Sequence, residues 1–384
     1  MLKVICVCGA RPNFMKVAPL VDALRRTAGV QAFLVHTGQH YDERMSRSFF
    51  GDLGIPEPDV NLEVGSCSHA VQTAEVMKRF EPVCTEHRPD WVVVVGDVNS
   101  TLAAALTACK LGVRVAHVEA GLRSFDRTMP EEINRVLTDA ASDLLFVTEP
   151  SGVENLRREG IADQKVHLVG NVMIDTLLRR RARAENSSIL RDLELRTRQY
   201  AVVTLHRPSN VDERHSFGGI LEALQTIAQD MPVIFPIHPR SRKNLESLGL
   251  AQRVTKHGGL RLLEPLGYLD FLKLMTDAAV VLTDSGGIQE ETTILGVPCL
   301  TLRNNTERPI TITQGTNHLA GTTTQGILDA YHAVRQRPAS AVRAPDLWDG
   351  HAAERIVAAL VAAPSRMSGG IKRSAAMPGE GPRT

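Results

Sequence analysis

Residues 91–101 read Trp91-Val92-Val93-Val94-Val95-Gly96-Asp97-Val98-Asn99-Ser100-Thr101, an apolar run, a glycine turn and then the polar start of a helix. A short continuous apolar run bounded by a turn suits a strand buried on both faces, the kind parallel sheets use. After a helical segment, Arg114–Val118 repeats the strand pattern. The unit is therefore strand, helix, strand, joined by a right-handed crossover.

Working outward, the same alternation predicts strands at Lys3–Cys8, Gln31–His36, Asp143–Val147 and Val166–Val169, with a helix from Ala70 to Glu86 stopped by Pro89. Around Ile174–Gln199 the strand signal lapses, and Arg179-Arg180-Arg181-Ala182-Arg183 reads as a solvated helix face at a crossover between domains. A second series follows: strands Ala201–Leu205, Val233–Ile237, Arg261–Leu263, Val280–Thr283 and Pro298–Leu302, with helices after Arg214, Arg240, Tyr268 and Gly287. The fold class expected is α/β, with two Rossmann-like doubly wound domains facing a central cleft. The domains are read as 1–175 and 176–363, the second ending in an amphipathic helix over His351–Val361. A Ser/Gly/Pro/Lys-rich tail, 364–384, is expected to be disordered. Ligands in such sheets sit beyond the carboxyl ends of the strands, so residues just after strands are the functional candidates.

A chain of 384 residues with 43% hydrophobic content suits two globular domains. Lys+Arg (44) and Asp+Glu (43) nearly cancel to a net charge of +1, which argues against a broad nucleic-acid-binding surface. No apolar run approaches a membrane span, and Met1–Cys8 runs straight into a polar turn rather than a cleavage site, so a cytoplasmic setting is expected. Of six cysteines, only Cys67 looks loop-borne, and none forms a C-x-x-C pair; small buried thiols are expected rather than a metal or redox site.

The first strand ends in Gly9-Ala10-Arg11-Pro12-Asn13-Phe14-Met15-Lys16. A helix N-terminus there, flanked by Arg11 and Lys16, favours an anion, although a plain turn tolerates the same residues. The dinucleotide fingerprint G-x-G-x-x-G and the P-loop are both missing from the sequence, so nothing reads as a nicotinamide site. Asp97 and Glu119 each stand at a strand's carboxyl end. Asp97 could instead cap the next helix, whereas Glu119, between apolar residues, has no capping job. Glu131 and Glu132 open a helix at Pro130, where the helix dipole also explains acids. Several carboxylates held together split their pKa values and can supply both a base and an acid.

In the second half, His206 and Arg207 follow one strand and His238 another, while Arg123 follows Glu119 in the first half; all are candidate contacts facing the cleft. Asp284-Ser285-Gly286-Gly287-Ile288-Gln289-Glu290-Glu291 is a glycine turn opening a helix. Its N–H groups can cradle a diphosphate, and Glu290 or Glu291 can hold ribose hydroxyls.

Together, Gly9-Ala10-Arg11-Pro12, Gly96-Asp97, His117-Val118-Glu119-Ala120-Gly121-Leu122-Arg123, Pro130-Glu131-Glu132-Ile133-Asn134-Arg135, His206-Arg207, the Asp284–Glu291 turn and Thr306-Glu307-Arg308-Pro309 resemble the non-hydrolysing UDP-N-acetylglucosamine 2-epimerases. The resemblance spans roughly residues 1–360. It implies a glycosyltransferase-B type fold, a homodimer and a reaction needing neither nicotinamide nor metal: UDP is eliminated as C2 loses its proton, and re-addition to a 2-acetamidoglucal gives the other C2 epimer. It also implies an active-site set of Arg11, Lys16, Asp97, Glu119, Glu131 and His206, with Ser285, Gly286, Gly287, Glu291 and Arg308 contacting UDP.

Two segments differ from the family pattern. Gln39-His40-Tyr41-Asp42-Glu43-Arg44-Met45-Ser46 lacks the Arg and Met-Leu of a segment linked to activation by a second substrate molecule; its Tyr-Asp form is similar to relatives acting on UDP-2,3-diacetamido-glucuronate. His206-Arg207-Pro208-Ser209-Asn210 lacks the usual Glu. The rival readings are that uronate as substrate, a UDP-sugar glycosyltransferase, a sugar-nucleotide sensor and a hydrolysing 2-epimerase. A transferase needs one base and a sensor none, whereas Asp97, Glu119 and Glu131 are all present.

Overall fold

The computed structural model describes residues 1–38, 54, 57–255, 258–336 and 344–364. Residues 39–46, where the activation-linked segment was read, and the expected tail beyond Pro364 lie outside the described residues.

Two parallel sheets build the molecule, in the order β3-β2-β1-β4-β5-β6-β7 and β10-β9-β8-β11-β12-β13. The first comprises β1 (Leu2–Cys8), β2 (Val30–His36), β3 (Val60–Asn61), β4 (Trp91–Val95), β5 (Arg114–Ala120), β6 (Leu144–Val147) and β7 (Val166–Leu168). The second comprises β8 (Ala201–Thr204), β9 (Val233–Pro236), β10 (Leu260–Leu263), β11 (Val280–Thr283), β12 (Cys299–Thr301) and β13 (Asn317–Leu319). Each sheet reverses its strand order beside its first strand, which places a ligand crevice at the carboxyl ends of β1 and β4 in one half and of β8 and β11 in the other. The expected strands form within a residue or two of their expected ends. The two that went unread, β3 and β13, are edge strands of two and three residues, too short for a hydrophobic period to register.

Trp91 to Val95 is buried throughout, as a strand covered by helices on both faces must be. Each such side chain contributes roughly 1.5–3 kcal/mol on burial. The helix Val172–Ala184 couples the halves: it packs against Arg11–Arg26 of the first and against Tyr268–Thr276 and Gly286–Leu295 of the second. Its apolar residues Val172, Met173 and Leu177 join one buried cluster with Val17 and Leu20 on one side and Leu272 and Val281 on the other. The arginine run expected on a solvated helix lies on its outward face, where Arg179, Arg181 and Arg183 are exposed. The last helix, Ala352–Ala362, returns to pack on Arg11–Arg26, and its first two N–H groups, of Ala352 and Ala353, donate to Asp175 at 3.1 and 2.8 Å.

All six cysteines are free thiols; four are buried, but Cys109 joins Cys67 in being exposed, because it lies on the outer side of the helix Asn99–Lys110. Among the described residues, no helix is long and apolar enough to cross a membrane.

Candidate active site

Glu119 sits where β5 loses register with β6: Val118 pairs with Phe146 and Ala120 with Val147, leaving Glu119 as the extra residue of a bulge. Its φ is 74°, a left-handed conformation that non-glycine residues rarely adopt. Bulges and such strain gather at functional sites because they re-aim one side chain. Here the carboxylate is aimed at the seam between the two sheets. Lys16, one turn into the helix Arg11–Arg26, donates to Oε2, and Arg308 from the second half donates Nη2 to Oε1 at 2.5 Å. Both cations are buried.

Arg308 is the hub of the second half. Its Nε donates to Glu290 Oε1 at 2.7 Å and its Nη1 to Glu307 Oε1 at 2.5 Å. Glu307 also pairs with Arg303 at 2.8 Å and approaches Arg207 at 3.5 Å. Gly286 opens the helix Gly286–Leu295 directly beneath: a Cβ there would lie 2.3 Å from Arg308 Nη1, so only glycine lets the guanidinium rest on this helix N-terminus. Asp284, fully buried after β11, organises the neighbouring strand end. It accepts from the N–H groups of His206 and Arg207 at 3.0 Å each, and pairs with His206 Nδ1 at 2.9 Å, which puts that ring's proton on Nδ1. Arg207 Nε in turn donates to the Asp284 carbonyl at 2.9 Å.

On the first-half side, Asp97 pairs through Oδ2 with Arg135 Nη1 at 2.8 Å, and Arg135 Nη2 lies 3.0 Å from Glu132. Glu132, buried, accepts from the N–H of Ser124 at 3.0 Å and of Phe125 at 2.9 Å, and so shapes the loop after β5. Glu131, its neighbour, is exposed. Glu291 is buried one turn into its helix and accepts from Tyr268 Oη at 3.0 Å.

Burial alone would raise the Glu119 carboxyl, but Lys16 and Arg308, with Arg135 behind them, hold it below the usual carboxylate range. Glu307 is likewise held well below it, burial being overcome by Arg308 and Arg303. Glu290 and Glu291 go the other way. Burial raises Glu290 against the pull of Arg308, and burial pushes Glu291 up to about 8 against the hydrogen bond from Tyr268. The site therefore sets carboxyls held below their ordinary range beside carboxyls pushed above it, the condition for acid and base work in one cleft.

The profile of the UDP-N-acetylglucosamine 2-epimerase family matches residues 22–361. The chain belongs to this family. A UDP-N-acetylglucosamine 2-epimerase of Methanocaldococcus jannaschii is 43% identical over 340 residues, covering 86% of this chain and 91% of the relative. A UDP-2,3-diacetamido-2,3-dideoxy-D-glucuronate 2-epimerase of Pseudomonas aeruginosa is 40% identical over 86% of this chain and 91% of its own length. The crystal structure of the Methanocaldococcus jannaschii UDP-GlcNAc 2-epimerase in complex with UDP-GlcNAc and UDP superposes with a TM-score of 0.88 at 42% identity, over 94% of this chain and 99% of that one. The chain is thus an isomerase-type enzyme of the epimerase family, with the two-domain fold that the sequence implied.

Of the candidate residues read from the epimerase resemblance and the strand ends, the fold brings Lys16, Glu119 and Arg308 into direct contact, with Gly286 against Arg308. Gly287 adjoins Met173, and Ser285 donates its N–H to Thr283 Oγ1 at 3.0 Å. His206 and Arg207 stand beside this cluster. The His238 ring is 6.1 Å from that of His206, and its Nδ1 accepts from the Arg240 N–H at 3.2 Å as a helix cap. Arg11 opens its helix, but its side chain lies outside the described residues. Arg123 is not brought to the cluster. Its guanidinium donates to Asp139 at 2.7 Å, to Glu159 at 2.8 and 2.7 Å and to the Leu122 carbonyl at 2.8 Å, so its donors are taken up in tying β5 to the helix Pro130–Ala141.

Sequence reasoning gave no role to Asp284, Glu307, Arg303 or Arg135 and weighed Glu132 only as an acid at a helix start, although all but Arg303 stand inside the motifs quoted. The signal was there in Glu132 and Arg135, three apart and so on one helix face, and in the Glu307-Arg308 doublet at a strand end.

Proposed function

We propose that this enzyme interconverts UDP-N-acetylglucosamine and UDP-N-acetylmannosamine by elimination and re-addition of UDP through a 2-acetamidoglucal. The observation that carries the proposal is Glu119, an ionised carboxylate on a bulged residue, held between Lys16 and Arg308 at the domain seam. In the elimination, C2–H and C1–O break and C1=C2 forms; the proton passes to a carboxylate and UDP departs with the bonding pair. No hydride moves, so the step balances without a redox partner.

A C2 hydrogen is a poor acid, and the barrier falls only if charge on the departing diphosphate is met by fixed donors. Arg308 and the N–H groups of Gly286 and Gly287 take that role in this reading, with Ser285 and His206 beside the diphosphate, Arg11 and Lys16 on the sugar-phosphate side and Glu291 on the ribose. Asp97, Glu119 and Glu131 share the acid and base work on the two faces of C2. Lys16 and Arg308, which now hold Glu119, are the cations a diphosphate would recruit; substrate binding then exchanges one anion for another and raises the basicity of Glu119. The same proposal has the enzyme acting as a cytoplasmic homodimer, which sedimentation and cell fractionation test.

Proton NMR with UDP-N-acetylglucosamine in deuterated water, with EDTA and without nicotinamide, tests the reaction. A reversible gluco/manno mixture carrying deuterium at C2 is expected. Unlabelled substrate, followed by turnover of the diacetamido-uronate nucleotide in the same tube, would reassign the substrate; no labelling of either would sink the reaction.

A further inference from the structure

Gln289, on the helix that carries Gly286 and Glu290, is fully buried, and the reaction gives it no part. Its Oε1 accepts from Thr306 Oγ1 at 2.7 Å and from Asn317 Nδ2 at 3.2 Å, and its Nε2 donates to the Ser285 carbonyl at 3.3 Å. Asn317, buried on the edge strand β13, also donates through Nδ2 to Thr311 Oγ1 at 3.2 Å and accepts from Thr301 Oγ1 at 2.6 Å. Thr311 Oγ1 donates to the Arg308 carbonyl at 2.8 Å, while the Arg308 N–H donates to Thr306 Oγ1 at 3.1 Å. These bonds close a ring that runs from the Arg308 N–H through Thr306, Gln289, Asn317 and Thr311 and returns to the Arg308 carbonyl.

The backbone of Arg308 dictates the direction of the bonds in this ring. A peptide N–H only donates and a carbonyl only accepts, so the Thr306 hydroxyl passes its hydrogen on to Gln289 and the Thr311 hydroxyl takes one from Asn317. Both amides are thereby fixed in orientation, and each of their polar atoms is paired. A buried polar network is costly unless every member is satisfied, and well-packed apolar residues would hold β12, β13 and the helix together as well. Apolar residues cannot grip one residue by both its N–H and its carbonyl. The residue gripped is the one whose guanidinium is shared by Glu119, Glu290 and Glu307. Those partners are carboxyls, which an incoming phosphate can replace. The ring is neutral and holds the backbone, so it keeps its bonds while the guanidinium changes partners.

We propose that the ring of Gln289, Thr306, Thr311 and Asn317 is a positioning device for Arg308, fixing its backbone so that the guanidinium meets a diphosphate in one geometry. The inference rests on reading Arg308 as a diphosphate contact. Two parallel N–H···O bonds to phosphate need the guanidinium plane held in place, so a loosened backbone is felt at the diphosphate and not at the base or ribose.

The test titrates UDP, and uridine in competition with it, against Thr306→Val, Thr306→Ser, Thr311→Val and Arg308→Lys. Valine keeps the shape of threonine without the hydroxyl, so Thr306→Val frees the Arg308 N–H and Thr311→Val frees its carbonyl. Each is expected to weaken UDP by about tenfold while leaving uridine unchanged, and Thr306→Ser, which retains the hydroxyl, to stay within about twofold of wild type. In an Arg308→Lys background the loss from Thr306→Val is expected to shrink to within about twofold, because the valine acts through the guanidinium. Thr306 is only half-buried, so its variants keep the test open should Thr311→Val fail to fold. Wild-type UDP affinity in Thr306→Val, a proportional loss of uridine, or an undiminished loss in the Arg308→Lys background would each overturn the ring as a positioning device. Arg308→Lys alone separates the two readings: if it leaves UDP binding untouched, the diphosphate assignment fails first, and if it weakens UDP while Thr306→Val does not, only the ring fails.

Discussion

Arg308 and Glu119 meet across the domain seam, Nη2 to Oε1 at 2.5 Å, from positions 189 residues apart in the chain. One carboxylate thus serves both halves: it closes the cleft as an ion-pair partner and is one of the three carboxylates that share the acid and base work of the proposed reaction. These duties compete, because the cations that hold Glu119 also depress its basicity.

Glu119→Gln separates them. The amide cannot take the C2 proton, so turnover should fall by about 10²–10⁴-fold, the usual worth of a positioned base. UDP affinity should hold or tighten, because Lys16 and Arg308 no longer have an internal anion to give up. Calorimetry with UDP beside C2 deuterium exchange reads both quantities. Weaker UDP binding in this variant would mean that Glu119 is not the anion displaced.

Gly286 and Gly287 make a paired test of the cradle. Alanine at 286 puts a Cβ 2.3 Å from Arg308 Nη1 and 2.8 Å from Glu307 Oε1, and Arg308 is too heavily bonded to yield cheaply. Gly286→Ala should cost about 10-fold or more in UDP affinity, the order of one charge-assisted hydrogen bond. Alanine at 287 meets the terminal methyl of Met173 at 2.9 Å, a flexible end that can turn aside. Gly287→Ala should bind UDP several-fold better than Gly286→Ala; equal losses would mean that the helix N-terminus, not Arg308, is what the substitution disturbs.

How much of this was legible follows from what a sequence can encode locally. The strands were readable because Trp91–Val95 and Val280–Thr283 are unbroken apolar runs, and the reaction class because strand-end motifs are local and ordered. Glu119 stood out by having no structural task, and the bulge with φ 74° gives the physical content of that oddity. Arg123 and Arg308 could not be told apart by type: each is an arginine beyond a strand, and only the tertiary positions of Asp139 and Glu159 show that Arg123 is engaged.

The raised carboxyls predict how stability responds to pH. Glu149 sits at about 7 and Glu291 at about 8, against an unfolded value near 4.5. Between those values the folded chain holds protons that the unfolded chain has released, so both groups make stability fall as pH rises from about 4.5 to 8 and level off above. Thermal melts from pH 5 to 8.5 should show wild type losing Tm relative to Glu291→Gln over this window. A constant difference between the two would show that Glu291 is ionised throughout.

Glu291 gives the last prediction, because its carboxyl is one turn from the proposed diphosphate cradle and carries its proton at pH 7. Ribose hydroxyls donate hydrogen bonds, and donation favours the ionised form. If Glu291 takes the ribose, its pKa must fall on binding, so UDP association near pH 7 should release a proton and affinity should rise with pH until it passes about 8. Calorimetry in buffers of different ionisation enthalpy counts the protons released. The UDP diphosphate itself titrates in this range, so the same count on Glu291→Gln supplies the difference that belongs to the side chain. Release that persists unchanged in the Gln variant would take Glu291 off the ribose and leave Tyr268, its hydroxyl 3.0 Å away, as its lasting partner.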